Sequence, residues 1–477
     1  MPKALNIRSI VEQEIQSKGY NLSQFSQISG MNRGTLSLIL NGNPSKMPSI
    51  PQMDKMAEAL GYEQGWLYEL YLKECFDREV PHWRRLKNFL YRCLQLGKDH
   101  MIQQVLDRVL EDSNQTGAIF DAAEEWYEEG YREQLLPLYQ CVIIHERYRH
   151  AERLAVSHYR IFRLSQSENF ENNLRAAIAF EPYRNELPIG FRLDGLLKLA
   201  NIYYNQHMWE KVEFFADELR ELATTAYENR IHMQDNKDGE RGIKTERHLV
   251  VYYGHGFLLK GNALEEQRRY QEALTYIEGY KDLTWFEGLN EIGITEIKKF
   301  KEFSIANELN LAILTGDMNQ LDNYVDFLSK NKMELLPGLL TIVTSANKYH
   351  FAIDHILTFF EDELLNLESN KLFSENYYDK NFNLDHYTDL CFHLGIYFLE
   401  KNDYTKAINN IIISLEISQT IRKHKHVING LALLYFLRSL LDSKQHERYD
   451  LIMKGVLANE EIIPTHCIPN DINSNDT

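Results

Sequence analysis

Cysteine is scarce in this sequence and poorly placed for chemistry. Only five occur in 477 residues (Cys75, Cys93, Cys141, Cys391 and Cys467), an odd number, widely spaced and never as a C-x-x-C pair. That argues against a disulfide framework and a cysteine-bound zinc site, and it fits a reducing compartment. Proline (11) and glycine (24) are few enough for long helices joined by short connections, and strict apolar–polar alternation is rare. An all-α protein is expected. Long apolar runs are missing too: residues 431–441, the longest, contain Arg438 and are too short to span a bilayer. The first residues show no apolar signal core, so a cytoplasmic protein without membrane contact is expected. H-E-x-x-H, G-x-S-x-G, Walker and G-x-G-x-x-G motifs are absent. No catalytic residue, metal or cofactor is expected, and the histidines, His424 and His426 included, read as surface or core residues.

What charge there is has an uneven distribution. The chain carries −17 overall. Its first fifty residues hold Lys3, Arg8, Lys18, Arg33 and Lys46 against only Glu12 and Glu14, a net +3, which leaves −20 for the remainder. A small basic head on an acidic body suits a chain whose head meets a polyanion.

The head reads as short helices. Ile7, Ile10, Val11 and Ile15 form one helical stripe, ended by Gly19 and Tyr20. Asn21 is placed to cap a second helix carrying Leu22, Phe25 and Ile28. Gly30 provides a tight turn, and Asn32 caps a third helix running to Asn41, with Leu36, Ile39 and Leu40 on its core side. A polar loop over 43–51 then leads to a helix with Met53, Met56, Ala57 and Leu60.

Short helix, glycine turn and short helix with small polar residues outside is the layout of a helix-turn-helix. Phe25 to Gly42 (FSQISGMNRGTLSLILNG) closely resembles the Cro/phage-repressor-like family often called XRE: Gly30, Met31, Asn32, Thr35-Leu36-Ser37 and Asn41-Gly42 fall at its spacing. The likeness covers roughly residues 5–72. It implies that the helix from Asn32 to Asn41 enters the major groove of double-stranded DNA. Arg33, Thr35 and Ser37 would then be its outward residues, with Arg33 able to hold guanine bidentately. Asn21 and Asn41 match positions used on phosphates, and Lys46 adds charge in the next loop. The implied contact set is therefore Asn21, Asn32, Arg33, Thr35, Ser37, Asn41 and Lys46. Two departures stand out: Leu22 where the family commonly has Gln, and Leu38 where a longer polar residue often reads a base. Readout is expected to lean on DNA shape or thymine methyls instead.

The body shows a recurring spacing. Gly261, Leu264, Tyr270 and Ala273 place a small, an apolar, an aromatic and a small residue at offsets 0, 3, 9 and 12. Gly395, Phe398, Tyr404 and Ala407 repeat it; so do Ala200, Tyr203, Trp209 and Val212, with Val in the last place. Small residues let antiparallel helices approach closely while the aromatic plugs the turn. The pattern is similar to the tetratricopeptide (TPR) repeat, and a degenerate copy runs through Leu309, Leu321 and Val325. About five to nine stacked hairpins are expected, interrupted by exposed loops over 229–247 and 368–385. The expected domains are 1–75, a five-helix helix-turn-helix domain; 82–463, a TPR-like α-solenoid for sensing and dimerisation; and 464–477, a disordered tail.

In such a repeat the first helix of each pair lines a groove suited to an extended peptide. Asn201, Asn262 and Asn310 each follow the small or corresponding position, and a carboxamide there can donate to and accept from a peptide backbone at once. Tyr204, one turn beyond Asn201, could join them. A Cro-like head on a TPR body resembles the peptide-pheromone-responsive regulators of the RRNPP group. That likeness implies a homodimer whose DNA affinity or dimer geometry a short signalling peptide alters. Other readings stay open at this point: a body that binds a protein partner or a phosphorelay protein, and a body that only dimerises.

Overall fold

The computed structural model describes residues 6–43, 46–76, 83–109, 115–146, 151–167, 170–235, 243–368, 380–420 and 424–459. Among them every regular element is helical, twenty-four α-helices with short 3-10 turns, and none is long and apolar enough to cross a membrane. The expected break after residue 76, the tail from 464 and Cys467 lie outside the described residues. Contacts divide the chain into two compact units, residues 1–202 with 243–246, and residues 203–242 with 247–477.

The first unit opens with α1 (Ile7–Ser17), α2 (Leu22–Ser29), α3 (Arg33–Leu40), α4 (Ile50–Ala59) and α5 (Tyr68–Phe76). Their starts are written locally. Asn6 and Ser9 form a capping box on α1, Asn21 and Gln24 form one on α2, and Asn32 caps α3. Each satisfies backbone N–H groups that a helix start leaves orphaned. There follow α6 (Trp83–Gln95), α7 (Asp99–Val109), α8 (Thr116–Glu128), α9 (Leu136–His145), α10 (Ala151–Leu164), α11 (Phe170–Phe180) and α12 (Ile189–Asn205). One apolar core runs without interruption from Ile7 of α1 to Val142 of α9. Beyond it, Arg160 of α10 grips Glu124 of α8 with two hydrogen bonds (2.9 and 2.7 Å) while lying 3.7 Å over the Tyr127 ring. A buried guanidinium is tolerable only when paired and hydrogen-bonded in this way.

The second unit holds α13 (Trp209–Asp235), α14 (Leu249–Glu266), α15 (Tyr270–Lys281), α16 (Glu291–Thr315), α17 (Leu321–Lys330) and α18 (Leu335–Tyr349). It continues with α19 (Asp354–Phe359), α20 (Glu361–Glu368), α21 (Lys380–Glu400), α22 (Tyr404–Thr420), α23 (His424–Leu437) and α24 (Ser443–Asn459). From α13 to α16 each helix packs on the next; α18 packs on α21, and α21 on α22, consistent with solenoid packing. The expected loop over 229–247 is shorter than its polarity suggests. Residues 229–235 continue α13, because nothing there breaks a helix. Likewise 380–385 belong to α21.

The repeated spacing marks one helix corner used several times. At each copy the residue at offset 7 has positive φ: His207 (54°), Arg268 (62°) and Asn402 (60°). The amide at offset 8 then donates back to the carbonyl at offset 3: Met208 to Tyr203 (3.0 Å), Arg269 to Leu264 (2.8 Å) and Asp403 to Phe398 (2.9 Å). This left-handed cap closes the helix end through its own backbone. The degenerate copy does the same with Gly316 (φ 93°) and Asp317 to Ala312 (2.9 Å). So does a corner the spacing had not marked, Gly130 (φ 103°) with Tyr131 to Trp126 (3.1 Å). The aromatic at offset 9 behaves differently between copies: Trp209 meets His207 of its own corner edge-on, with centroids 5.2 Å apart. Tyr404, in contrast, is 40% exposed and donates to Asn402 Oδ1 (3.0 Å).

Close approach depends on a small residue at Gly395 of the repeated spacing and at Gly256 outside it, but not at Gly261, where a Cβ would make only ordinary contact at 3.6 Å. A Cβ on Gly256 of α14 would lie 2.9 Å from the Arg220 backbone nitrogen of α13, and one on Gly395 would lie 2.6 Å from Ile411 of α22. Two substitutions should therefore move stability in opposite directions in thermal or urea unfolding of the full chain. Gly256→Ala should destabilise by about 1–3 kcal/mol through overpacking. Arg268→Gly, which relieves a left-handed residue, should stabilise by up to about 1 kcal/mol. An unchanged melting temperature for Gly256→Ala would show that α13 can move away.

Candidate nucleic-acid interface

The α2–α3 pair is held by Phe25, Met31, Leu36, Ile39 and Leu40, all buried. Gly30 turns the chain at φ 62°, a conformation that a Cβ disfavours, and Met31 N donates to Ser26 O (3.2 Å). Ser26 Oγ donates to Met31 O (2.6 Å) and fixes the turn from its side chain. Asn32 Oδ1 accepts from the amides of Gly34 (2.8 Å) and Thr35 (3.4 Å). With that cap in place, Arg33 and Asn41 are exposed and Thr35 and Ser37 half-buried. Leu38, 54% exposed, shares this outer face, so an apolar side chain is available to a thymine methyl.

The remaining expected contacts surround α3. Asn21 is exposed with its Oδ1 engaged by the Gln24 amide (2.9 Å), so only its amide end is suited to a phosphate. Lys46 is exposed, and its backbone amide donates to Leu38 O (3.1 Å), which ties the following loop to the last turn of α3. Leu22 packs against the core, whereas Ile28 lies off it, 51% exposed.

Sequence reading missed the group that steadies this surface. Asp54 of α4 is 7% exposed. Its Oδ1 accepts from the Tyr68 hydroxyl of α5 (2.9 Å) and the Gly65 amide (3.3 Å), and its Oδ2 from Arg92 Nε of α6 (2.9 Å). Arg92 also donates to Gln64 and Gln95. Burial, then the bond to Asp54, pushes the Tyr68 phenol well above its ordinary range, so it stays a donor. The signal was present in the sequence: Asp54 occupies the same stripe as Ile50, Met53 and Ala57, a carboxylate on an apolar face.

The carboxamides expected to meet a peptide are divided between the units. Asn201 is exposed in the first; Tyr204, Asn262 and Asn310 belong to the second. Tyr204 meets Trp209 edge-on, with centroids 5.3 Å apart. Asn262 and Asn310 are brought together through residues that the spacing did not mark. On α16, Asn307 Nδ2 donates to Asn262 Oδ1 (3.5 Å) and to the Tyr280 hydroxyl (2.9 Å), while Asn310 Nδ2 donates to Glu265 Oε1 (2.6 Å). Matched i, i+3 pairs on α14 and α16 thus face each other. Asn310 is engaged at both ends, since its Oδ1 accepts from Tyr324 of α17 (3.1 Å). Burial pushes the Glu265 carboxyl up to about 8.

Two substitutions test the head's architecture by calorimetry on the full chain. Asp54→Ala leaves Arg92 and Tyr68 without their shared acceptor and should cost about 3 kcal/mol; a loss within experimental error would show that water replaces the carboxylate. Asn32→Ala should cost about 1 kcal/mol through its two cap bonds.

Residues 11–67 match the helix-turn-helix family HTH_3. No curated protein matches the chain. The match spans α2, Gly30 and α3 together with α4 and its Asp54, the segment whose caps and core expose one polar helix face. The N-terminal segment is an XRE-type helix-turn-helix followed by an all-helical region, and the protein carrying it is a DNA-binding transcription regulator.

Proposed function

We propose that the protein reads a specific DNA sequence through α3 and that its second unit receives a short peptide. The reading is carried by the outer face of α3, where capping by Asn32 leaves Arg33, Thr35, Ser37 and Leu38 towards base edges. Asn21, Asn41 and Lys46 stand around it for phosphates. For the peptide, the facing row of Asn262, Asn307, Asn310 and Glu265 supplies donors and acceptors in series, with Tyr204 of the same unit as a further contact. Asn310 would exchange Tyr324 or Glu265 for the ligand. Helices α16 and α17 also wall an open cleft of about 660 Å³ with an apolar floor (Leu309, Ala312, Phe327) and a polar rim (Asp317, Gln320, Asn323), a composition suited to small ligands and peptide side chains. A peptide changes DNA binding only if its affinity differs between the two arrangements of the protein.

A homodimer reading two half-sites needs a face that two acidic chains can share. Helix α23 carries no Asp, Glu, Lys, Arg or His from 427 to 437 and exposes Ile428, Tyr435 and Phe436, the last 80% exposed. Two copies can meet there without opposing carboxylates. Phe436→Glu should convert the dimer to monomer in sedimentation equilibrium; a wild-type monomer, or a variant dimer, would remove this face from the proposal.

Binding of the full chain to duplexes selected from a random pool tests the head. Arg33→Ala should cost about 1–3 kcal/mol and relax preference at one base pair. A uniform loss over all sequences would make Arg33 a phosphate contact. Asn262→Ala should leave melting unchanged and abolish any peptide-dependent change in DNA affinity, whereas a retained response would exclude the carboxamide row.

A further inference from the structure

A second feature of the first unit concerns DNA but lies partly outside the matched segment. The loop leaving α3 and the exposed side of α6 enclose a cleft of about 480 Å³. Lys46, Gln52, Arg85, Asn88, Tyr91 and Arg92 are among its walls, and among the described residues none that lines it is Asp or Glu. In a chain with 69 acidic and 52 basic side chains, Lys46 and Arg85 on a cavity whose described lining holds no carboxylate, beside an Arg92 paired with Asp54, create a locally positive site.

Its cations are held differently. Arg92 is anchored on Asp54, so much of its charge is answered within the protein. Arg85 is exposed; its Nε donates to the Tyr71 hydroxyl (2.7 Å) and its guanidinium lies 5.2 Å from that ring's centroid. The ring thereby orients the fork, and no carboxylate among the described residues pairs with it. Lys46, also exposed, lines the same cleft from the loop whose amide bonds to Leu38 O of α3. If α3 lies in the groove, this loop is carried to the edge of the groove, where the sugar–phosphate strand runs. A preorganised guanidinium and an ammonium lining one cavity suit a phosphate.

We propose that this cleft takes a backbone phosphate of the DNA flanking α3, held between Lys46 and Arg85, so that α6 belongs to the DNA-binding surface. The inference rests on the reading of α3 as the groove-entering helix. It accounts for the acid-free lining, and it gives Arg85 a role that packing does not require.

The test is the salt dependence of DNA affinity, measured with the full chain on the duplex that wild type selects and on an unrelated one. Arg85→Gln should lower the slope of log K against log salt by about 0.9, the value for one phosphate contact, and by the same amount on both duplexes. Arg85→Lys should keep the slope, which separates charge from any loss of the Tyr71 contact. Lys46→Gln should reproduce the Arg85→Gln result. An unchanged slope for Arg85→Gln, with wild type binding normally, overturns the cleft and leaves the reading of α3 intact. A wild-type chain that binds neither duplex removes both. A loss confined to the selected duplex would make Arg85 a base reader and overturn the phosphate assignment. Inorganic phosphate at constant ionic strength should weaken DNA binding by wild type more than by Arg85→Gln, because both phosphates compete for one site. Phosphate that binds wild type but not Arg85→Gln without weakening DNA binding would assign the cleft to free phosphate and overturn the DNA assignment.

Discussion

A carboxylate kept from water must be hydrogen-bonded or neutralised, and Asp54 meets that demand by drawing three elements to one point. The Tyr68 hydroxyl comes from α5, the Gly65 amide from the turn before it, and Arg92 from α6. The apolar core continues through the same junction, from Ile7 to Val142. The head is therefore not a bead on a string. Its recognition surface shares packing with α6 to α9, and displacement of those helices would have to disturb either the core or the ion pair. This fixed junction also places Arg85 beside the loop from α3, which makes the acid-free cleft possible.

The second unit is organised by backbone instead of charge. Its corners repeat one left-handed cap, and three of them place a side chain where glycine is favoured. The 6→1 hydrogen bond and the packing of the flanking helices outweigh that local strain, so the same corner forms with His207, Arg268, Asn402 or Gly316. Close contacts at Gly256 and Gly395 then set how near neighbouring helices lie. Within this frame the row from Asn262 to Tyr324 connects α14, α16 and α17. These hydrogen bonds link the packing of three helices.

Local signals were legible without coordinates because their partners lie within a turn. Asn21 and Asn32 as helix caps and Gly30 at the helix corner are all set by residues within five positions. The repeat spacing was legible for the same reason, since its corner is closed by atoms five residues apart. The role assigned to the aromatic at offset 9 was legible only in part: Trp209 meets His207 of its own corner, but Tyr404 is 40% exposed. The polar stretch from Asn229 read as a loop throughout because hydrophilicity is a weak guide to helix ends, and residues 229–235 hold no Pro or Gly to end α13.

The sequence alone determined the all-helical class, the position of the helix-turn-helix and the residues on the outer face of α3, because caps, turns and apolar periodicity are short-range properties. The tertiary structure alone decided what depends on distant partners. Asp54 and Arg92 stand 38 positions apart and meet across a buried junction. Asn310 faces Glu265 on α14, 45 positions away, and is answered by Tyr324 on α17. Arg85 reaches Tyr71 over a segment that no short-range pattern connects to α3. Spacing along a chain fixes which face a residue occupies, but only packing fixes what stands opposite it, and electrostatics and hydrogen bonding depend on the latter.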